Sequence, residues 1–306
     1  MKEYFSLFLK GVAMGTANII PGVSGGTIAL IVGIFERLIN AIKSFNIIAF
    51  KLILKGDFKG FARHTDLAFL VVLFAGVGFA IISLARIFDF LFHAYPVYIW
   101  SYFFGLILAS VYFVGKTITK WTTSAIASFA VGTLIAIAMV FMNPATENSN
   151  FFYLILCGVV AVCSMILPGL SGSFVLILMG NYQLVAIDSI NNFRFDILLP
   201  VFIGAVFGLL GFSYLLSWIF KKFRDQTIAL LTGFILGSLG IIWPWKRAIH
   251  MLDIAGNAII KKGEPVVERY MMILPQLNLE FFMAILIMIL GIASIWIIEK
   301  QAASDK

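Results

Sequence analysis

Pro21-Gly22-Val23-Ser24-Gly25-Gly26-Thr27 is a stretch that occurs twice in this chain, and its second copy is Pro168-Gly169-Leu170-Ser171-Gly172-Ser173. Residues 11–42 align with residues 158–189 at one fixed offset and without a gap, and apolar runs flank both copies. Because proline and glycine interrupt helices, each copy is expected to end one helix and to begin the next. Interrupted helices at corresponding positions of two halves of a membrane protein indicate a binding site near the middle of the bilayer.

The composition defines the class of protein. Hydrophobic residues make up 61% of the 306 residues and charged residues only 12%, and the mean hydropathy is +1.03. A soluble domain of this size could not cover its surface with so few charges. We therefore expect a polytopic membrane protein in contact with the lipid bilayer. The net charge of +7 fits the excess of Lys and Arg in cytoplasmic loops, so no nucleic-acid partner is expected.

Eight stretches of the sequence carry no charge, and six of them can cross a hydrocarbon core of roughly 30 Å as single helices: residues 67–85, 94–115, 121–146, 197–220, 226–245 and 281–298. The other two, 11–35 and 148–187, contain the repeated motif. In the first, each arm beside the motif has only about ten residues and reaches roughly half of the bilayer thickness. This length predicts a re-entrant hairpin. The second copy has longer arms and is interpreted in the same way.

The distribution of Lys and Arg predicts how the chain crosses the membrane. The basic segment 36–66 is expected in the cytoplasm. Each half then consists of a re-entrant hairpin and three transmembrane helices, an odd number of crossings, so the repeats are inverted. The predicted fold class is an all-α polytopic membrane protein, with residues 1–147 as the first inverted repeat and 148–306 as the second. Both termini are expected in the cytoplasm, and the long loop 246–278 outside.

The later helices support the duplication. Residues 105–110 (GLILAS) match residues 233–238 (GFILGS). A further match aligns four acidic or small residues of the first half with four of the second: Asp66, Ala75, Gly78 and Ser83 with Asp196, Ala205, Gly208 and Ser213. We therefore expect each helix after the first hairpin to have a counterpart after the second.

Residues 44–63 have a pattern typical of a helix on a membrane surface. Lys51, Lys55, Lys59 and Arg63 recur every four residues between apolar positions, a spacing that places the charges along one helical stripe. The pattern predicts an interfacial helix on the anionic cytoplasmic leaflet. A solvated linker that obeys the positive-inside rule is the alternative.

Both motif copies carry the chemistry of an anion site. A helix that begins after Ser24 presents unpaired backbone N–H groups and the positive end of its dipole, and glycine allows a ligand to approach closely. Phosphate is the usual ligand of such a site. The alternative is helix breaking and close helix packing alone. The predicted phosphate-binding residues are Asn18, Gly22, Ser24, Gly25, Gly26, Thr27, Gly169, Ser171, Gly172 and Ser173.

Three charged residues near the predicted membrane boundaries are candidates for headgroup capture, headgroup release or proton coupling. Arg86 lies near the outer end of the helix that starts at residue 67 and could receive an anionic headgroup. A snorkelling arginine paired with Asp89 is the alternative. Glu36 and Arg37 close the first hairpin on the cytoplasmic side, and an interfacial ion pair is the alternative there.

Residues 11–27 (GVAMGTANIIPGVSGGT), the second motif and the internal GLILAS sequence resemble the bacterial undecaprenyl-phosphate (polyprenyl-phosphate) transporter family. The resemblance covers essentially the whole chain. It implies a protein of the bacterial cytoplasmic membrane that returns the carrier lipid phosphate from the outer to the inner leaflet. The second copy departs from the first at Ser173 and Phe174. The residues that match the motif positions of the family are Gly22, Ser24, Gly25, Gly26, Gly169, Ser171 and Gly172.

The motifs fit two kinds of transporter better than an enzyme. A lipid-phosphate transporter would hold the headgroup at the midplane while the chain trails in lipid, and a secondary transporter of a small soluble anion would use the same site. A membrane enzyme acting on lipid phosphates needs a base or a nucleophile, and the sequence has no His, Asp and Glu cluster for that role. We therefore expect a flippase for polyprenyl phosphate without catalytic residue, metal or cofactor. The sequence does not define an oligomeric state.

Overall fold

The structure is a computed structural model that describes residues 2–19, 24–142, 145–250, 260–261, 264–265 and 267–304. Within its first half the described chain is helical. The helices are, in order, α1 (Lys2–Ile19), α2 (Gly25–Ile31), α3 (Phe35–Lys43), α4 (Ile47–Leu54), α5 (Phe58–His64), α6 (Leu67–Ala94), α7 (Pro96–Gly115) and α8 (Thr123–Val140).

The second half begins with the same order of elements. Two helices flank the second motif as α1 and α2 flank the first, and a bent segment and a long helix follow. The elements are α9 (Phe151–Ile166), α10 (Gly172–Leu178), a π-helix (Gln183–Asp188), α11 (Ser189–Asn191), α12 (Phe195–Lys222), α13 (Arg224–Ser238) and, after a loop, α14 (Leu279–Ser304).

Among the described residues, five helices are long and apolar enough to cross a membrane: Leu67–Leu84, Pro96–Gly115, Thr123–Val140, Phe195–Lys222 and Leu279–Ile297. They confirm five of the six predicted single spans. The sixth, 226–245, is wrong in its extent because α13 ends at Ser238. Gly240 and Pro244 follow this end, and both residue types disfavour the continuation of a helix.

The chain after each motif bends at a glycine. α2 and α3 are bent by 117°, and Gly33 between them has a φ of +72°. Gly180, its counterpart after α10, has a φ of +73°. Glycine adopts this left-handed conformation without the steric cost that a Cβ would bring. The two hairpins therefore share a left-handed glycine at the same position after the motif.

The segment 44–63 forms two short helices, so the single continuous helix predicted there is wrong. Gly56 has a φ of +70° and ends α4. Asp57 then caps α5, because its carboxylate accepts a hydrogen bond from the N–H of Gly60 at 2.8 Å. The apolar and basic side chains of both helices are exposed: Ile47, Ile48, Phe50, Leu54, Phe58, Lys51, Lys55, Lys59 and Arg63.

Each hairpin packs against the first long helix that follows it. α6 lies against α1, and α12 lies against α9. Gly76 of α6 leaves no room for a Cβ beside the carbonyl of Phe8, and Gly204 of α12 is equally close to the carbonyl of Ile155. Small residues of this kind let two helix backbones approach each other closely.

The remaining long helices pair across the halves. α14 packs against α7, and α8 packs against α13. Gly105 of α7 lies against the carbonyl of Met288, and Gly233 of α13 lies against the carbonyl of Phe129. The two pairs are thus held by the same kind of backbone contact at corresponding positions.

The helices α6 and α12 match in length and in their ends. Both have 28 residues, and their C-caps have nearly the same backbone angles, φ −138° and ψ 50° at Tyr95, φ −136° and ψ 53° at Phe223. Tyr95 therefore matches Phe223, and the predicted alignment of Asp66 with Asp196 is wrong by two residues. The register follows the glycines that touch backbone, Gly76 and Gly204, whereas Asp66 and Asp196 of the predicted alignment lie at helix ends.

α2 lies in the centre of the molecule. Six of its seven residues are buried: Gly25, Gly26, Thr27, Ile28, Ala29 and Ile31. The largest hydrophobic cluster around it contains residues of both halves, among them Phe35, Leu73 and Ile235. The first motif therefore begins a helix that is enclosed by protein on most sides.

The loop between α13 and α14 contains short strands that the sequence pattern does not predict. β1 (Lys246–His250) pairs antiparallel with β4 (Val267–Met272), and β2 (Ile260–Lys261) pairs antiparallel with β3 (Glu264–Pro265). The other regular elements of the described chain are helices, in agreement with the predicted class of helical membrane protein.

Gly105→Ala should lower the stability of the protein, because a Cβ at Gly105 would overlap the backbone of Met288. Overpacking of this kind costs about 1–3 kcal/mol. Gly211→Ala is the matched control, since a Cβ at Gly211 meets nothing within 4 Å and alanine favours a helix. Thermal unfolding in detergent measures both variants, and equal unfolding temperatures would contradict the packing role of Gly105.

Candidate binding site at the two hairpin tips

Ser24 begins α2 and caps it. Its backbone is extended, and its hydroxyl accepts a hydrogen bond from the N–H of Gly26 at 3.1 Å. The N–H of Gly25 donates to the side-chain oxygen of Asn18 at 2.9 Å, and the N–H of Thr27 donates to the carbonyl of Ser24 at 3.0 Å. The first turn of α2 is therefore satisfied by the protein itself. The expectation of unpaired N–H groups at this tip is wrong.

The first tip is hydrogen-bonded to the second. The hydroxyl of Ser24 lies 3.3 Å from the carbonyl oxygen of Met165 and 3.2 Å from that of Leu167. The hydroxyl of Thr27 accepts a hydrogen bond from the N–H of Gly169 at 2.9 Å. Ser24 is only 3% exposed and Thr27 is fully buried, so these bonds satisfy groups that water does not reach. The two copies of the motif contact each other directly.

Two glycines pack the tips closely against protein backbone. A Cβ at Gly26 would lie 2.6 Å from the carbonyl oxygen of Ile166. Gly169 has a φ of +84°, and a Cβ there would lie 2.8 Å from the backbone of Phe234 and Ile235. Both glycines therefore serve the packing of the tips, the role that the sequence offers as the alternative to ligand binding.

The second tip has the backbone of the first but different partners. Ser171 precedes α10 with φ −115° and ψ 134°, close to the angles of Ser24. No side chain caps α10, and within the described part of the chain no acceptor meets the N–H groups of Gly172 and Ser173. Ser171 and Ser173 instead bring their hydroxyl oxygens to 2.7 Å from each other. The second tip therefore keeps the free donors that the sequence predicts for both tips.

The sequence explains why the tips differ. At the offset that aligns the motifs, Asn18 corresponds to Met165. The Asn18 oxygen approaches the position of a Cβ on Gly25 to 2.6 Å, and the side chain of Met165 approaches the same position on Gly172 to 2.6 Å. The two side chains thus occupy equivalent places, but the thioether is only a weak acceptor. The N–H of Gly172 consequently lacks the cap that Asn18 gives to Gly25.

A cavity of about 280 Å³ lies at the second tip. This volume is near the lower end of ligand pockets, which hold about 300–1,000 Å³. Its polar wall contains hydroxyl and amide groups, and its other wall is apolar. No charged side chain lines it within the described chain. The lining includes Asn18, Ser171, Ser173, Met165, Leu176 and Tyr182, so the cavity can donate hydrogen bonds to an oxyanion and also contact hydrocarbon.

The charged candidates Glu36 and Arg37 lie apart from this cavity. Arg37 makes a two-point ion pair with Asp66, with distances of 2.7 and 3.1 Å, and its guanidinium lies 4.3 Å from the ring centre of Phe69. Glu36 lies 3.5 Å from the guanidinium of Arg224. Arg37 lines a separate cavity of about 420 Å³ together with Lys10 and Glu3. The two residues form ion pairs, as the alternative interpretation holds, although with distant partners and not with each other.

The structure brings five of the predicted binding residues to one cavity: Asn18, Ser24, Ser171, Gly172 and Ser173. Gly26, Thr27 and Gly169 lie behind them at the contact between the tips, and Gly25 is bonded to Asn18. Gly22 lies outside the described residues, as does the side chain of Arg86, whose backbone belongs to α6. Sequence reasoning did not identify Met165 and Tyr182 as cavity residues. The alignment of Met165 with Asn18 carries the signal that could have found the first of them.

These features define a class of protein. Several apolar helices that can cross a membrane surround two interrupted helices, and the interruptions meet at a polar cavity, as in transporters. The family model described as undecaprenyl phosphate translocase-like matches residues 14–259. The chain belongs to this family, and the resemblance of its motifs is confirmed.

Named relatives extend along most of the chain. The polyprenyl-phosphate transporter of Vibrio cholerae serotype O1 is 40% identical over 247 residues, which cover 81% of this chain and 80% of the relative. The polyprenyl-phosphate transporter of Staphylococcus aureus is 31% identical over 255 residues, which cover 77% of this chain and 85% of the relative. No solved structure matches the chain significantly. The chain is thus a member of a family of transporters and not of enzymes.

Thr27→Val should destabilise the protein by about 1–3 kcal/mol, because it leaves the buried N–H of Gly169 without an acceptor while it keeps the shape of the side chain. Thr27→Ser should retain most of the stability, since the hydroxyl remains. Ser173→Ala is the control, because this hydroxyl is exposed and bonds only to Ser171. Chemical or thermal unfolding would measure the three variants, and wild-type stability of Thr27→Val would refute the contact between the tips.

Proposed function

We propose that this chain carries polyprenyl phosphate across the bacterial cytoplasmic membrane, from the outer to the inner leaflet, and so returns the lipid carrier for reuse. Membership of the undecaprenyl phosphate translocase-like family supports the substrate class. The names of the two relatives support it as well. The single observation that carries the proposal is the open second tip, where free backbone N–H groups and two hydroxyls line a cavity with an apolar wall.

The proposed architecture is a pair of inverted repeats, 1–147 and 148–306, each a re-entrant hairpin with three crossings. The basic segment 36–66 would face the cytoplasm, and both termini would lie on that side. Two observations support the duplication: the equal lengths and caps of α6 and α12, and the corresponding glycine contacts of the α7–α14 and α8–α13 pairs. The halves differ by the segment of α4 and α5, which only the first has, and by the loop with strands between α13 and α14, which only the second has.

The phosphate would bind at the second tip, and the first tip would support it. An isolated phosphate in hydrocarbon is prohibitively costly, so its charge must be met by donors within the protein. The N–H groups of Gly172 and Ser173, the hydroxyls of Ser171 and Ser173, and the amide of Asn18 are such donors. They need no charged side chain, because a helix N-terminus carries a partial positive charge. The lipid chain would follow the apolar wall of Met165 and Leu176.

The charged residues would receive and release the headgroup at the two membrane surfaces. Arg86 would capture it near the outer surface, and Arg37 would accept it near the inner surface. Arg37 is held by Asp66 in the structure, so release to Arg37 requires the phosphate to exchange with this carboxylate. Arginine suits both steps, because its planar guanidinium grips phosphate at two points.

The helices α4 and α5 would lie on the cytoplasmic leaflet. Their exposed apolar residues can enter the interface between headgroups and acyl chains, and their four exposed basic residues are attracted to anionic lipid. This segment belongs to the first repeat alone, so it would fix one repeat, and not the other, to the membrane surface.

Purified protein in liposomes provides the direct test. Headgroup-labelled polyprenyl phosphate is placed in the outer leaflet, and its appearance in the inner leaflet is followed with and without the protein. Protein-dependent exchange supports the proposal. Transport of soluble inorganic phosphate without lipid exchange would instead identify a secondary transporter of a small anion, the second candidate that this site can serve.

Ser171→Ala combined with Ser173→Ala should reduce lipid transport at least about tenfold, because a hydrogen bond to a charged group contributes about 1.5–3 kcal/mol. The fold should be unaffected, since the two hydroxyls bond to each other at an accessible surface. Ser83→Ala is the control, because Ser83 is an exposed serine whose hydroxyl bonds to its own helix. Parental transport by the double variant would reject the second tip as the phosphate site.

Arg86→Gln should slow uptake from the outer leaflet more than release at the inner leaflet, and Arg37→Gln should do the reverse. Arg86→Lys should restore uptake only in part, because lysine offers no planar two-point grip. Flux measured separately in each direction in oriented proteoliposomes distinguishes the steps. Equal effects of both variants on both steps would reject this sequence of contacts even if both residues prove necessary.

A further inference from the structure

The helix α3 of the first half packs across the molecule onto α12 of the second half. Lys43 donates a hydrogen bond to the hydroxyl of Ser217 at 3.3 Å, and this hydroxyl donates to the side-chain oxygen of Asn40 at 3.1 Å. The ammonium of Lys43 also lies 5.1 Å from the ring centre of Tyr214. Ser217 is 3% exposed. A side-chain network of this kind, with a buried hydroxyl at its centre, joins two helices in one relative position.

Two further contacts extend this junction. The rings of Phe35 and Phe220 lie 5.7 Å apart between centres, and Glu36 faces Arg224 at 3.5 Å. We name the contacts of Asn40, Lys43, Phe35 and Glu36 with α12 and Arg224 the α3 latch. Its residues lie at the end of α12 that carries Lys221 and Lys222, which is the proposed cytoplasmic end. The latch thus joins the two proposed repeats at one membrane surface.

The second half has an equivalent segment that makes no such junction. At the offset that aligns the motifs, residues 182–190 correspond to residues 35–43 of the latch. The π-helix and α11 in this segment pack on α12 of their own half. Within the described residues they make no hydrogen bond, ion pair or ring contact with α6, the counterpart of α12. Tyr182 and Ala186 of this segment line the cavity at the second tip.

The form of this segment fits a part that rearranges. Residues 35–43 form a regular α-helix, whereas residues 183–188 form a π-helix. π-Helices are rare and are frequently found at functional sites. The segment that is docked on the opposite half, residues 35–43, is therefore a regular α-helix. The equivalent segment that is not docked has the less favourable π-helical conformation.

We infer that the α3 latch closes the cytoplasmic end of the transporter, and that residues 183–191 close the outer end by docking on α6 in the opposite state. This inference rests on the proposed function and on its inverted repeats. The structure is then the outward-open state, with the latch formed and the binding cavity bordered by the undocked segment. Exchange between the two closures exposes the tips alternately to the two leaflets.

The repeat identifies the residues of the second closure. The offset of the hairpins pairs Asn40 with Ile187, and the offset of α12 and α6 pairs Ser217 with Asp89. Residues 187 and 89 should therefore approach each other in the inward-open state as Asn40 and Ser217 do in the structure.

Breaking the latch should move the protein toward the inward-open state. Cysteine at Ser173 reports this from outside, as the rate of reaction with a charged thiol reagent that does not cross the membrane, after subtraction of the parent labelling. Loss of one charged hydrogen bond shifts such an equilibrium about tenfold, so Lys43→Met should slow this reaction by up to about tenfold, and Ser217→Ala should act in the same direction. Lys59→Met is the control, because Lys59 is an exposed cation outside the latch, and it should leave the rate unchanged.

Cross-linking tests both closures directly, because a covalent link replaces the hydrogen bond between the two positions. A short, reducible bifunctional thiol reagent joins Asn40→Cys to Ser217→Cys, which should stop transport until the reagent is reduced. The pair Asp89→Cys and Ile187→Cys should cross-link faster when Lys43→Met is added. Transport at the parental rate by the locked protein, or labelling and cross-linking rates unaffected by Lys43→Met, would overturn the inference. Labelling needs no lipid substrate. A failure to transport polyprenyl phosphate would therefore reject the proposed function, whereas the labelling rates would still test the two closures.

Discussion

A helix interrupted inside a membrane protein frees backbone groups that lipid cannot satisfy, and the rest of this structure depends on how they are paired. Asn18 and Ser24 accept the first N–H groups of α2, and Thr27 accepts the N–H of Gly169 from the other half. Backbone groups that the break frees in one half are thus paired by a side chain of the other half. This pairing brings the tips into contact, buries α2 in the centre and leaves a cavity beside the one tip whose donors remain free.

The sequence was sufficient to predict where helices break and which stretches form spans, but not which side chains contact each other. Proline and glycine in the two motifs predict where helices break, and uncharged stretches predict five spans, because both signals are local. The partners of Ser24, Arg37 and Glu36 lie far along the chain, and no local pattern defines them. The predicted register of Asp66 with Asp196 failed for a related reason, since shared residue types at helix ends do not report which backbones touch.

The two copies show how a duplicated motif can divide its tasks. Ser24 and Ser171 have the same residue type and nearly the same backbone angles, yet one is locked between carbonyls and the other is open. The difference follows from the neighbours Asn18 and Met165, one of which caps the helix while the other does not. A motif in a sequence therefore defines a backbone shape, and the side chains that surround it decide whether that shape binds a ligand or serves the fold.

The glycine contacts between long helices have a mechanical consequence. Where Gly76 lies against Phe8 or Gly105 against Met288, backbone touches backbone, and no side chain is present there to change rotamer and absorb a shift. Each of the four helix pairs must then move as a rigid body. The flexibility of the molecule is therefore concentrated at the interfaces between these helix pairs, where longer side chains meet. The bent segments after each motif cross those interfaces.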